Sequence, residues 1–83
     1  MIHMIRVSLN REAFDIALTR HNLSQKRLAE KLKISRSYLS EIVGDRRKPS
    51  AAIRERLLGF FREYTFDDLF TIERRDQNVQ NPD

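Results

Sequence analysis

The chain has no cysteine and no tryptophan, two glycines, two prolines and two histidines. Without thiols there can be no disulfide, no thiolate nucleophile and no cysteine-held zinc, and a reducing compartment, the cytoplasm, is the default expectation. His3 and His21 stand far apart, with no paired carboxylate at ligand or acid/base spacing, so no metal centre, cofactor site or catalytic constellation is expected. The scarcity of glycine leaves no phosphate-cradling loop, and with it no sign of a small-molecule substrate. The longest uncharged apolar run, Leu57 to Phe61, is too short to cross a bilayer. The opening residues lack the basic start and continuous apolar stretch of a signal peptide, so no membrane partner is expected. At 83 residues the chain fits one small domain rather than a two-domain enzyme.

What is abundant is positive charge, gathered in one place. Lys and Arg outnumber Asp and Glu by sixteen to twelve, a net +4. The segment from Arg20 to Lys48 alone carries nine basic and three acidic residues. The residues before it balance to zero and those after it are slightly acidic. Such a local field attracts a phosphate backbone, anionic lipid or an acidic protein, and it equally describes a solvated helix face.

Apolar spacing and capping residues predict five helices. Asn10 can cap a helix whose inner stripe is Phe14, Ala17 and Leu18, with His21 at its C-terminal end, where its charge would meet the helix dipole favourably; Ile16 falls on the opposite face. Ser24 can cap a second helix burying Leu28, Ala29 and Leu32, and Ser35 a third burying Leu39, Ile42 and Val43 before a break at Gly44-Asp45. Pro49-Ser50 starts a fourth, with Ile53, Leu57, Phe60 and Phe61 inward. Thr65, three residues ahead of Asp68, offers a capping-box variant opening a short fifth helix with Leu69 and Phe70.

The ends alternate instead. Ile5, Val7 and Leu9 interleave with Met4, Arg6 and Ser8, and Phe70 and Ile72 with Thr71 and Glu73, so each end is expected to form a short strand. A lone two-stranded ribbon is marginal in water, so the two are expected to pair antiparallel and pack on the helices; Ile16 is either exposed or covered by such a segment. The expected fold class is thus all-α, five helices with a terminal two-stranded β-ribbon: an arm at 1–9, a helical domain at 10–70, and a strand and tail at 71–83, frayed from Asp76 onward. Five of the seven aromatics (Phe60, Phe61, Tyr64, Phe66, Phe70) crowd the last helices. Phe61 and Phe66 are expected in the core, and the surplus either closes the monomer or forms a self-association surface.

The second and third helices are short and joined by about three residues, which makes them cross steeply over a small side chain, Ala29. The segment Leu23 to Ser50, LSQKRLAEKLKISRSYLSEIVGDRRKPS, resembles the lambda-repressor-like (Cro/CI, XRE) helix-turn-helix family. The matching residues are Ser24-Gln25, Leu28-Ala29, Ile34, Ser35, Ser37-Tyr38-Leu39-Ser40, Ile42 and Pro49-Ser50, and the likeness extends over Phe14 to Phe70. Two positions depart from the family's habit: Lys33 stands where the inter-helix turn often has glycine, and in the turn after the third helix glycine comes first, as Gly44, rather than second. The resemblance implies a five-helix domain acting as a sequence-specific regulator of transcription on double-stranded DNA, a Cro/CI-type repressor that works as a homodimer on a palindromic operator. The competing reading is a helical protein-interaction adaptor, or an antitoxin-type module, whose basic stripe meets an acidic partner.

At about 100° per residue, Arg36, Ser40, Ser37 and Glu41 share one arc of the third helix, while Tyr38, Ile42, Leu39 and Val43 share the other. A guanidinium, two hydroxyls and a carboxylate form a hydrogen-bonding set suited to base edges: Arg36 to guanine O6 and N7, Glu41 to cytosine N4, Ser37 and Ser40 to base or phosphate. The expected phosphate contacts are Gln25, which resembles the family residue that fixes the backbone, together with Lys26, Ser35, the Tyr38 hydroxyl, Arg46, Arg47 and Lys48.

Overall fold

The computed structural model describes residues 3–76, with side chains from Ile5 to Arg74. Most of the tail expected to fray falls outside that range, but Asp76 ends a strand. In chain order the elements are β1 (His3–Leu9), α1 (Arg11–Arg20), α2 (Gln25–Leu32), α3 (Arg36–Val43), α4 (Ala51–Phe60), α5 (Phe66–Leu69) and β2 (Phe70–Asp76).

All five helices begin where a short polar side chain can replace the missing backbone acceptor. Asn10 accepts from the Ala13 amide, Ser24 from Arg27, Ser35 from Tyr38 and Ser50 from Ile53, at 3.0–3.2 Å. Thr65 and Asp68 complete a reciprocal capping box at 3.3 and 2.8 Å.

Three helices end in the same way. At the end of α1 the Asn22 amide donates to the Thr19 carbonyl and Leu23 to Leu18; after α2, Lys33 donates to Glu30 and Ile34 to Ala29; after α3, Asp45 donates to Ile42 and Arg46 to Glu41. These are Schellman closures, and each requires a left-handed residue. The chain supplies Asn22, Lys33 and Asp45, at φ of 55°, 61° and 62°, and no glycine. Asn and Asp tolerate this region and Lys does so poorly. Lys33→Gly therefore removes about 1–2 kcal/mol of strain and concedes about 0.5–1 kcal/mol to the freer unfolded chain. The expected outcome is a modest rise in thermal midpoint by circular dichroism; a fall would show that Lys33 is not strained.

Each helix turns its apolar stripe into one core: Phe14, Ala17 and Leu18 of α1; Leu28, Ala29 and Leu32 of α2; Leu39, Ile42 and Val43 of α3; Ile53 and Leu57 of α4; then Phe61, Leu69 and Phe70. Ala29 lies in that core between short helices, where a larger side chain would force them apart. The Arg56 guanidinium donates to the Leu32 carbonyl at 3.0 Å, closing the C-terminal end of α2 with positive charge.

Strands β1 and β2 pair antiparallel, Leu9 opposite Phe70 at the base and His3 opposite Asp76 at the tip. The Asn10 amide donates to the Leu69 carbonyl at 2.7 Å where ribbon meets helices.

Several expectations need correction. Of the two placements open to Ile16 the exposed one holds: it is 44% exposed beside Ala13, Arg20 and Tyr64, and the ribbon does not cover it. Phe66 is only half-buried, and Phe70 takes the core place instead, because it opens β2 rather than closing α5. Phe60 is half-buried as well. It stacks edge-on against Phe61 at 5.0 Å and tilts over His21 at 5.6 Å. His21 caps the C-terminal end of α1, and its Nε2 meets Glu63 Oε2 at 2.7 Å. The Glu63 carboxyl lies below the usual range, held there by its own backbone amide and then by His21.

Candidate nucleic-acid interface

Helix α3 is fixed from behind by Leu39, Ile42 and Val43 and at its start by the Ser35 cap, so its outer arc is held without contributing to the core. Arg36, Ser37 and Ser40 are exposed and Glu41 is half-buried. Together with Arg46 these four line an open depression along the helix. Arg46 reaches it because of how α3 ends. In the first two Schellman closures the residue after the left-handed one is apolar and packs inward, as Leu23 and Ile34 do; after α3 that position is Arg46, which is exposed. Its Nη1 lies where a Cβ on Gly44 would approach to 2.9 Å, so the guanidinium lies across the glycine. Among the described residues neither Arg36 nor Arg46 has an ion-pair partner.

Glu41 and Arg47 are arranged differently. Arg47 Nε donates to Glu41 Oε1 at 2.7 Å, and the guanidinium carbon sits 5.3 Å from the centre of the Tyr38 ring. The carboxylate raises the Arg47 pKa above the ordinary guanidinium value, first through this hydrogen bond and then through its charge. The backbone amides of Arg46 and Arg47 both donate to the Glu41 carbonyl, at 2.9 and 3.2 Å. Glu41 thus ties the turn to the helix and occupies the Nε edge of Arg47, whose side chain stays about half exposed. Truncating Arg47 would leave a carboxylate unpaired in this basic surface. Arg47→Ala is therefore expected to lose more stability than the Glu41→Gln/Arg47→Ala pair, and a double-mutant cycle read by thermal unfolding measures the difference. Additive losses would remove the coupling.

Lys48 points elsewhere. Its ammonium donates to Asp45 Oδ1 at 2.7 Å and to Ser8 Oγ at 3.1 Å, fastening the turn to β1. Lys48 holds the Asp45 carboxyl below its usual range, chiefly through the hydrogen bond, against the small opposing effect of burial, and Arg6 adds to the lowering. At the other end of the motif Gln25 is half-buried as the first residue of α2, and Lys26 is exposed on the same turn. The Ser35 hydroxyl accepts the Tyr38 amide and keeps its own proton to donate. Tyr38 is half-buried against the core edge.

The nine-residue stretch from Ser40 to Lys48 therefore contains two kinds of cation: Arg46 stands clear, while Arg47 and Lys48 are held by Glu41, Asp45 and Ser8. The sequence reading missed both tethers and the helix-closing Arg56. The spacing of Glu41 and Arg47 is not a helical one, and Ser8 lies forty residues from Lys48.

A family model described as helix-turn-helix matches residues 16–69. The chain belongs to the lambda-repressor-like helix-turn-helix family. As a member of it the protein is a DNA-binding transcription regulator of the XRE type, and α2 and α3 are the two helices of the motif. The match takes in the second half of α1 and all of α2 to α5, and leaves both strands outside it. No curated protein and no solved structure matches the chain.

Proposed function

We propose that the protein is a repressor that binds a palindromic operator as a homodimer, with α3 of each copy in the major groove. The observation that carries this reading is the division of α3 into a buried apolar side and an exposed arc of Arg36, Ser37 and Ser40 continued by Arg46. Arg36 reads a guanine, and Ser37 and Ser40 reach a base edge or the flanking phosphate. Glu41 takes part at the edge of this set and holds Arg47 at the same time. Gln25, Lys26, Ser35, Tyr38, Arg46 and Arg47 face the backbone; Lys48 contributes field rather than a free ammonium. One eight-residue helix reads too few base pairs for an operator, which is why two copies are needed, with half-site centres about 34 Å apart or at a multiple of that.

Selection from a random duplex pool, followed by salt titration of the recovered site and a scrambled duplex, tests this reading. The expected result is a two-fold symmetric site favoured by roughly 4–10 kcal/mol over non-specific DNA. Affinity for both duplexes should fall steeply with salt. A basic adaptor would show the salt dependence without any preferred sequence, and that outcome would overturn the proposal.

A further inference from the structure

In an antiparallel ribbon, residues directly opposite each other point to the same side. One side of this ribbon therefore carries Leu9 with Phe70, Val7 with Ile72, and Ile5 with Arg74. The stripe starts inside the protein and ends outside it: Phe70 is buried, Leu9 and Val7 are half-buried against the core, and Ile72 and Ile5 are 55% and 66% exposed. The described molecule is 50 Å long against 24 and 19 Å in the other directions, as a ribbon standing off a helical body requires. Two β-branched apolar side chains at the projecting end of a two-stranded ribbon oppose solubility and contribute nothing to the monomer core.

We infer that this stripe is the dimer interface, packed face to face with the ribbon of a second copy. The inference rests on the dimeric reading above and names its surface. Charge favours a second copy over other occupants. The two strands together carry three arginines and two acidic residues, close to neutral, whereas nine basic residues against three acidic ones lie between Arg20 and Lys48. Nucleic acid or an acidic polypeptide is drawn to that segment, and two copies of a positively charged chain meet with less repulsion at the ribbon than there. The stripe is also self-complementary: Ile5 and Ile72 are diagonal neighbours, so a two-fold axis lying in the plane of the contact, perpendicular to the line between them, sets Ile5 over the partner's Ile72 and Ile72 over the partner's Ile5.

The area is small. Seven residues at about 3.4 Å each give a face roughly 24 Å long and about two strand spacings wide. Two such faces bury well short of the ~1,200 Å² of a stable free-standing dimer. The contact is therefore weak in free solution and completed on DNA, where two adjacent half-sites raise the effective concentration.

The test compares the full chain with Ile5→Lys/Ile72→Lys on selected duplexes carrying one or two half-sites, by anisotropy and sedimentation. The variant is expected to keep the thermal midpoint and the one-half-site affinity, and to lose cooperative binding on two half-sites by roughly 10²- to 10⁴-fold. Cooperative binding unchanged in the variant would overturn the ribbon assignment and leave the dimeric reading standing. Independent filling of two half-sites by the unaltered chain would overturn both. A second measurement does not depend on the lysines being tolerated. Because the chain has no cysteine, Ile5→Cys and Ile72→Cys copies mixed on the two-half-site duplex under oxidised glutathione should cross-link to each other in preference to themselves, and failure to do so would also overturn the assignment.

Discussion

Arg36→Ala is expected to flatten the preference at one base pair of each half-site, at a cost of about 1–3 kcal/mol on the operator, while binding to a scrambled duplex changes little. The direction follows from where the side chain starts. Arg36 is the first residue of α3, one position after the Ser35 cap, exposed, and without a carboxylate partner among the described residues. A guanidinium at the start of a groove-entering helix has the planar fork that matches guanine O6 and N7. A phosphate contact behaves differently, since it lowers both duplexes together and reduces the salt dependence with them. Competition titrations of operator against scrambled duplex separate the two. Equal losses on both would move Arg36 from reading to anchoring, and leave Ser37 and Ser40 as the remaining readers on the arc.

The contrast between Arg36 and Arg47 shows which parts of such a site are legible in a sequence. A helical wheel needs only the periodicity of one element, so the outer arc of α3 could be drawn from residues 36 to 43. Four of the five N-caps, and the start of α4, were legible for the same reason, because a capping oxygen meets an amide three residues ahead and nothing distant intervenes. The antiparallel ribbon follows from strict alternation at both ends, though not its register, and the left-handed strain at Lys33 follows from the turn it must close. The Glu41–Arg47–Tyr38 group was not legible. It forms because the Schellman closure at Asp45 folds the chain back onto α3, and no spacing rule relates two side chains across such a reversal. Lys48 looked like one of three equivalent cations; its bond to Ser8 depends on β1 arriving beside the turn. The exchange of Phe66 for Phe70 has a similar origin, since the short α5 passes directly into β2 and the core receives the residue at the junction.

The largest stability effect is expected from Phe14→Ala. The ring is fully buried and meets Phe61 edge-on, with centroids 6.4 Å apart and planes at 87°. Phe61 in turn contacts His21, Phe60 and Tyr64, so the vacated space borders side chains already fixed by one another and poorly able to collapse into it. Removing a buried phenylalanine costs about 3–5 kcal/mol. Chains of this size have a total stability on the order of 4–12 kcal/mol, and each kcal/mol lost lowers the thermal midpoint by roughly 4–8 °C. The variant should therefore melt well over 10 °C below the unaltered chain. Phe14 lies on the inner side of α1, away from the residues assigned to DNA, so operator duplex should bind the folded fraction normally. At a hundredfold excess over its dissociation constant, the duplex would return about 2.7 kcal/mol, most of the loss. Melting curves with and without operator give the result directly. A deficit below about 1 kcal/mol would mean that the ring is not packed as described. A deficit that operator cannot relieve would mean that α1 shapes the recognition surface as well as supporting it.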